Sequence, residues 1–375
     1  MERVKKIFPY QTIGIIGGGQ LARMMSIAAK AMGFYVAVLE PTPNCPCGQV
    51  CDIEITAAYG DMNGVKKLAD VSDVITYEFE NIDYDALRYL ENNAYLPQGS
   101  SVLKTTQHRY REKMAIKEMG IPVADFCLVD SLEALEKNVT YPSVLKTTML
   151  GYDGKGQIVI RNENDLAKAR ELASKSECTL EKFMDFSKEV SVLIARSTTG
   201  EVSVFPVAEN IHVNNILHKT IVPARISPKV EKEAIESAKR ISENLNAIGL
   251  LGVEMFVVDE KIYVNELAPR PHNSGHYTID ACVTSQFEQH IRAVCGLPLG
   301  DVSLHTPVVM VNILGDHMDN ENLHNLEPYL PLLRSGKLHL YGKAKAVKGR
   351  KMGHINMLGD IGKSLELIEK SGIWL

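Results

Sequence analysis

The sequence lacks most of the features that would place it in a special class. It has no basic excess: 41 lysines and arginines stand against 46 aspartates and glutamates, a net charge of −5. A sequence-independent grip on nucleic acid needs such an excess, so that class is excluded. No stretch approaches the ~20 consecutive apolar residues of a membrane span. Cysteines are few for the length, seven scattered over 375 residues. An odd, dispersed set in a long chain does not make a disulfide framework. The segment 1–11 is basic, but Pro9, Tyr10 and Gln11 fall where a secretory leader needs an apolar core. Neither an internal repeat nor a low-complexity segment is present. A hydrophobic content of 45% is too high for disorder. These exclusions leave a cytoplasmic enzyme of two or three domains, at ~100–200 residues per domain.

What is present begins as alternating strands and helices. A β-branched run over 12–16 leads into Gly17-Gly18-Gly19, and Leu21, Met24, Met25, Ala28 and Met32 then recur at helical spacing. Further strands are expected over 34–39, 50–55 and 74–77, with helices near 63–69 and 83–92. Such alternation predicts a parallel sheet covered on both faces. Beyond residue 107 the pattern becomes mixed, α+β in character. A helix is expected over 107–119 and a charged one over 229–245. A hairpin is expected from 252–258 and 262–266, then a strand over 308–314, a basic stretch over 343–351 and a last helix near 365–370. Cys45, Cys47 and Cys51 read as reduced thiols in a loop, because no fourth ligand with zinc spacing follows them.

Two glycine loops carry chemistry. Residues 17–22 fit the G-x-G-x-x-G/A fingerprint, with Glu40 where an acidic ribose ligand would stand. A dinucleotide site, another anion site and a plain tight turn all remain open at this point. The second loop, Gly151 to Gln157, lies between two strands, so it is not a Walker loop, which needs a helix behind it. Its three glycines would let backbone N–H groups fold over phosphates, and Lys146 and Lys155 supply charge. An ordinary hairpin loop is the alternative.

The hairpin is the most informative stretch. If it is symmetric about Glu260, Glu254 and Glu266 face each other and share a face with Phe256, Val258, Ile262 and Val264. Directly opposed like charges are destabilising. A mostly apolar face holding two carboxylates therefore calls for a cation, and oxygen ligands that leave room for phosphates suit Mg²⁺, with Mn²⁺ as an alternative. A shared proton and a different register are the other ways to relieve the pair.

Taken in order, these pieces resemble the ATP-grasp superfamily. Three stretches narrow the resemblance: GIIGGGQLARMM over 14–25, GYDGKGQ over 151–157 and NELAPRPHNSGH over 265–276. Together they resemble the N5-carboxyaminoimidazole ribonucleotide synthetase family of purine biosynthesis, over almost the whole chain. The resemblance implies an ATP-grasp fold with a Rossmann-like N-terminal domain over 1–106, the ATP-grasp domain over 107–297 with a mobile subdomain at about 122–187, and a small C-terminal domain over 298–375. It implies a homodimer. It also implies a reaction in which ATP activates bicarbonate as carboxyphosphate and the amine of 5-aminoimidazole ribonucleotide captures the carbon.

Residue roles carry over position by position. Arg109 and Lys146 would neutralise ATP phosphates, covered by Gly151, Tyr152, Asp153, Gly154, Lys155, Gly156 and Gln157. Glu181, Lys182, Phe183 and Met184 match the hinge beside adenine, Glu189 the ribose ligand and His212 a second nucleotide contact. Glu254 and Glu266, with Asn265, would hold Mg²⁺. Arg270, His272, Asn273 and Ser274 would bind bicarbonate and then carboxyphosphate. Tyr152, Asp153 and Lys155 would hold the aminoimidazole, Gln20 and Glu80 its ribose, and Lys343, Arg350 and Lys351 its phosphate. One stretch departs from the family pattern: Ala-Lys-Ala-Val-Lys over 344–348, where an acidic residue and a proline are expected. Read without the resemblance, Glu181 could be a plain strand carboxylate, His212 a structural histidine, Arg270 and His272 caps of a buried turn, and 343–351 a solvated loop. Two other activities compete: a formate-dependent glycinamide ribonucleotide transformylase, and an NAD-dependent oxidoreductase using the first loop.

Overall fold

The computed structural model describes residues 5–151, 156–318 and 326–374. Tyr152, Asp153, Gly154 and Lys155 lie outside them. The chain opens with β1 (Thr12–Ile16), β2 (Tyr35–Glu40), β3 (Ile53–Thr56) and β4 (Val74–Tyr77), all parallel, in the order β3-β2-β1-β4. The inner strands are buried on both sides, as parallel strands with helical crossovers must be. The third strand starts later than its sequence suggests because residues 47–51 form a turn, with the Val50 and Cys51 N–H groups donating to the Cys47 carbonyl. Cys45 and Cys47 are buried core residues beneath the helix Gln20–Ala31, with Cys47 Sγ 3.1 Å from Ser26 Oγ. All seven cysteines are free.

The helix expected over 107–119 is present as Arg109–Glu118, and a short helix that the pattern did not mark, Ser101–Thr106, precedes it across His108 in extended conformation. The break turns the Arg109 N–H onto the Thr148 carbonyl at 2.8 Å and so fixes the second helix against the next sheet. That sheet comprises β5 (Phe126–Val129), β6 (Ser143–Thr147), β7 (Gln157–Ile160) and β8 (Cys178–Lys182), antiparallel, in the order β5-β8-β6-β7.

A third sheet of nine strands dominates the rest. Its members are β9 (Lys188–Arg196), β10 (Val202–Val204), β11 (Ala208–Val213), β12 (Ile216–Val222), β13 (Gly249–Val258), β14 (Lys261–Ala268), β15 (Val308–Leu314), β16 (Gly336–Leu340) and β17 (Lys351–Leu358). The order is β14-β13-β9-β11-β12-β15-β17-β16, with β10 beside β9. The helix Pro228–Asn244 lies on one face. Ser227 Oγ caps it by accepting the Val230 N–H, and a proline stands at its start. Val230, Ala234, Ala238 and Ile241 recur on one side and meet Val190, Val192, Val253 and Met255. Each fully buried valine or isoleucine contributes about 1.5–3 kcal/mol. Among the described residues no helix is long and apolar enough to cross a membrane.

The hairpin β13–β14 has the expected pairing, Glu254 opposite Glu266, by a different route. Its turn is two residues, Asp259 and Glu260, both at positive φ, which gives Val258 opposite Lys261. A β-bulge then inserts Asn265 as an unpaired residue and moves Glu266 opposite Glu254. Ile262 and Val264 consequently do not share the face of Glu254. They are buried with Met255 and Val257, while Glu254 keeps the face of Phe256 and Val258. Period-2 counting fails here because one extra residue reverses the parity of everything beyond it.

Candidate active site

The bulge puts two carboxylates at the junction of the three sheets. Glu254 Oε1 lies 3.3 Å from His272 Nε2, and Glu266 Oε2 lies 3.5 Å from Arg109 Nη1. Burial, then the Glu266 charge, push the Glu254 carboxyl up to about 7. Arg109 and His272 reach only one carboxylate each, so the pair as a whole suits a hard divalent cation. No group of three or more His, Cys, Asp or Glu positioned for a metal exists among the described residues. A cation here would complete its shell with nucleotide phosphates and water, which is how Mg²⁺ is usually held. The proton on Glu254 competes with that cation. Affinity for Mg²⁺-nucleotide is therefore expected to fall as pH drops through about 7. Titrations one unit to either side of that pH measure it, and equal affinities would contradict the assignment. The raised value also means that the metal-free fold loses stability as pH climbs from the ordinary 4.5 toward 7.

A buried charge knot sits behind the pair. Lys146 Nζ on β6 is 3.0 Å from Glu181 Oε2 on β8, and Lys113 Nζ is 3.3 Å from the same oxygen. Lys113 also donates to the Asn265 carbonyl at 3.2 Å, and Lys146 to its side-chain oxygen at 3.4 Å. Burial alone would raise the Glu181 pKa, but Lys113, Lys146 and Arg109 together bring it to about 2. Its other oxygen, Oε1, is buried without a hydrogen-bond partner among the described residues. Lys113 is absent from the sequence-derived site, although it stands four residues after Arg109, on the same helix face. It ties β8 to the bulge of β14. Lys113→Met breaks this buried network and is expected to cost ~3 kcal/mol of stability. A chemical denaturation midpoint that does not move would refute that.

On the other side, Glu189 of β9 meets His212 of β11, with Oε2 and Nδ1 2.8 Å apart. The Glu189 charge outweighs burial and raises the His212 pKa. At the end of β8, in the stretch expected to form the hinge, the N–H groups of Lys182 and Phe183 already donate to the carbonyls of Asp125 and Pro142.

The four residues after Ala268 that the sequence grouped together play unequal parts. Arg270 is paired with Glu80 at 2.9 Å. His272 is pinned by Gln286, which accepts its N–H and donates to its carbonyl, both at 2.8 Å. Asn273 is buried and exchanges amide hydrogen bonds with Asn312 at 3.1 and 2.7 Å. Ser274 is fully buried, its hydroxyl between Ser191 and His272 at 2.8 Å each. Burial, then the charge of Arg270, hold the His272 pKa well below its ordinary value. Of the basic stretch, Lys351 comes nearest, since its charge is felt by Glu254, His272 and His212. Lys343 donates to the Lys351 carbonyl at 2.6 Å. Arg350 is exposed and donates to the Lys345 carbonyl.

The first glycine loop is filled from within. Gly18 N–H donates to Glu40 at 2.9 Å, while Gly19 and Ala22 N–H donate to Glu78 at 2.5 and 2.8 Å. Gln20 opens the helix beside them. An anion is favoured at a helix N-terminus, and here the protein's own Glu78 takes that place, so the Gly19 and Ala22 N–H groups are already spent and a dinucleotide pyrophosphate would have to displace it. Glu78 escaped the sequence reading because a carboxylate 59 residues away leaves no spacing signal.

Comparison with known proteins agrees with this geometry. Family profiles match at residues 10–107 (ribonucleotide synthetase preATP-grasp domain), 114–287 (ATP-grasp domain) and 308–367 (phosphoribosylaminoimidazole carboxylase C-terminal domain). The N5-carboxyaminoimidazole ribonucleotide synthase of Bacillus subtilis is 52% identical over 94% of this chain and 92% of that relative. Among solved structures, an ADP complex of an N5-carboxyaminoimidazole ribonucleotide synthetase is 56% identical, with a TM-score of 0.95 over 99% of this chain and 98% of that one. The Aspergillus clavatus N5-carboxyaminoimidazole synthase in complex with ADP and 5-aminoimidazole ribonucleotide is 29% identical, with a TM-score of 0.90 over 97% of this chain and 98% of that one. With that coverage and identity, and with the ATP-grasp architecture built around a carboxylate bulge, the chain belongs to the N5-carboxyaminoimidazole ribonucleotide synthase family.

Proposed function

We infer that the protein uses ATP and bicarbonate to carboxylate the amine of 5-aminoimidazole ribonucleotide, releasing ADP and phosphate, in purine biosynthesis. The observation that carries this is the meeting of the Glu254–Glu266 carboxylate pair with Arg270 and His272 in one half-buried site, which suits a phosphate-bound cation at one end and a small anion at the other. Bicarbonate is a poor electrophile, and phosphorylation gives it a leaving group. The protein has little covalent work to do. Its task is positioning and charge stabilisation in a closed, dry site.

The roles proposed for the site residues rest on the family resemblance. Arg109 and Lys146 neutralise the ATP phosphates, under the loop 151–157. Glu181 offers its unpartnered Oε1 to the exocyclic amine of adenine, and Glu189 with His212 takes the nucleotide's ribose side. Since the Lys182 and Phe183 N–H groups are occupied, the base edge meets other backbone groups of the hinge. Mg²⁺, or Mn²⁺, bound by Glu254 and Glu266 supplies charge neutralisation at the phosphates. The Arg270 guanidinium matches a planar carboxylate as a fork, and His272 donates beside it. Asn273 and Ser274 act behind them by fixing the loop. Tyr152, Asp153 and Lys155 take the aminoimidazole, Gln20 and Glu80 the ribose, and Lys343, Arg350 and Lys351 the phosphate. The segments 1–106, 107–297 and 298–375 divide these tasks as domains of a cytoplasmic homodimer.

Carboxyphosphate makes a specific demand. One oxygen of ¹⁸O-labelled bicarbonate must end in the released phosphate. Phosphate without label, or ATP cleavage driven by formate and glycinamide ribonucleotide instead, would overturn the reading.

A further inference from the structure

Behind His272 and Ser274 runs a chain of buried polar side chains, Ser191, Asn210 and Thr220, that no role above uses. Thr220 Oγ1 on β12 donates to Asn210 Oδ1 at 3.0 Å. Asn210 Nδ2 on β11 donates to Ser191 Oγ at 2.9 Å, and Ser191 Oγ on β9 donates to Ser274 Oγ at 2.8 Å. Ser274 Oγ then lies 2.8 Å from His272 Nδ1, and His272 Nε2 lies 3.3 Å from Glu254 Oε1. Thr220, Asn210, Ser191 and Ser274 are each no more than 5% exposed. Polar groups buried this deeply across three adjacent strands must satisfy one another, and a chain of hydroxyls does so with a direction.

That direction is set at its far end. An amide NH₂ can only donate, so Ser191 Oγ accepts from Asn210 and spends its single proton on Ser274. Ser274 Oγ has then accepted, and its own proton goes to His272 Nδ1. The Ser274 backbone N–H, 3.3 Å from the same nitrogen, is a longer contact that also favours an acceptor at Nδ1. The remaining ring proton must sit on Nε2, the nitrogen that faces the carboxylate pair.

We propose that Ser191, Asn210 and Thr220 are positioning residues that lock His272 in the Nε2–H tautomer, so that it serves the anion site as a hydrogen-bond donor and not as a proton acceptor. The tautomer stands on the relay alone. Its kinetic consequence rests on the reading that His272 faces bicarbonate.

Nitrogen NMR of the ¹⁵N-histidine-labelled full-length protein, without substrates, reads the tautomer directly. The expected spectrum assigns His272 a protonated Nε2 and a bare Nδ1, and the opposite assignment overturns the proposal. Asn210→Asp keeps the shape but replaces a donor by an acceptor. Ser191 then donates backwards, Ser274 donates to Ser191, and Ser274 Oγ is left to accept from Nδ1–H. The variant is expected to shift His272 toward the Nδ1–H tautomer and to raise KM for bicarbonate ~10-fold, with KM for ATP little changed; a tenfold change corresponds to about 1.4 kcal/mol. An unchanged tautomer in Asn210→Asp, or equal rises in both KM values, would show that the chain is structural only. Should that variant fail to fold, the wild-type spectrum still decides. A His272 in the Nε2–H form in a protein that fails to consume bicarbonate would sink the reaction and leave the relay intact.

Discussion

Replacing Glu254 or Glu266 by alanine is expected to lower turnover by ~10³-fold or more while the fold persists. The pairing across the bulge puts both carboxylates on one small area, and burial, then the Glu266 charge, raise the Glu254 pKa, which is the direction expected of two carboxylates that repel. Removing one member relieves that repulsion, so the metal-free protein is expected to become slightly more stable, not less. The chemistry loses far more, because a bound metal contributes several kcal/mol of charge stabilisation to a phosphoryl transfer, and each 1.36 kcal/mol is a factor of ten in rate. Steady-state ADP release with saturating Mg²⁺ measures the loss, and thermal denaturation without Mg²⁺ measures the gain. Near-full activity in either variant would refute the metal assignment. A large loss of stability in both would show that the carboxylates were there to hold the fold.

Arg270→Ala is the second large effect. Arg270 pairs with Glu80 at 2.9 Å, and burial pushes the Glu80 carboxyl up while the guanidinium opposes that rise. Removal therefore does two things: it strips the proposed bicarbonate end of its fork, and it leaves Glu80 without its countercharge. Loss of a preorganised donor at a developing charge costs ~10²–10³ in rate, about 2.7–4 kcal/mol. Arg270→Lys is not expected to restore it, because an ammonium cannot reproduce bidentate geometry. The double variant Arg270→Ala with Glu80→Gln separates the two effects. Stability is expected to return toward wild type, since the orphaned charge is gone, and activity is not. If activity returned with stability, Arg270 would be a structural counter-ion and the anion site would lie elsewhere.

The sequence made the secondary structure and the chemistry legible to different degrees. Strands β1, β4 and β15 fall where their β-branched runs place them, because buried parallel or central strands are written as continuous apolar stretches. The pairing of Glu254 with Glu266 was legible, but only the bulge at Asn265 explains it, and a single inserted residue leaves no mark in a period-2 pattern. The short helix Ser101–Thr106 was missed for a different reason: a tertiary hydrogen bond from the Arg109 N–H to the Thr148 carbonyl, and no local signal, separates it from the helix that follows. Residues that act through long-range contacts were the hardest to see. Lys113, Glu78 and Gln286 each reach partners 14 to 152 residues away, and nothing local marks them. The first glycine loop shows the converse. Its fingerprint is clear in the sequence, yet its donors are spent on Glu40 and Glu78.

The most direct test of the central claim is ADP release measured with ATP and 5-aminoimidazole ribonucleotide, with bicarbonate either supplied or rigorously removed. Release that requires both bicarbonate and the ribonucleotide, in step with formation of the carboxylated product, is the expected result. ADP release indifferent to bicarbonate, or none under any combination, would contradict it.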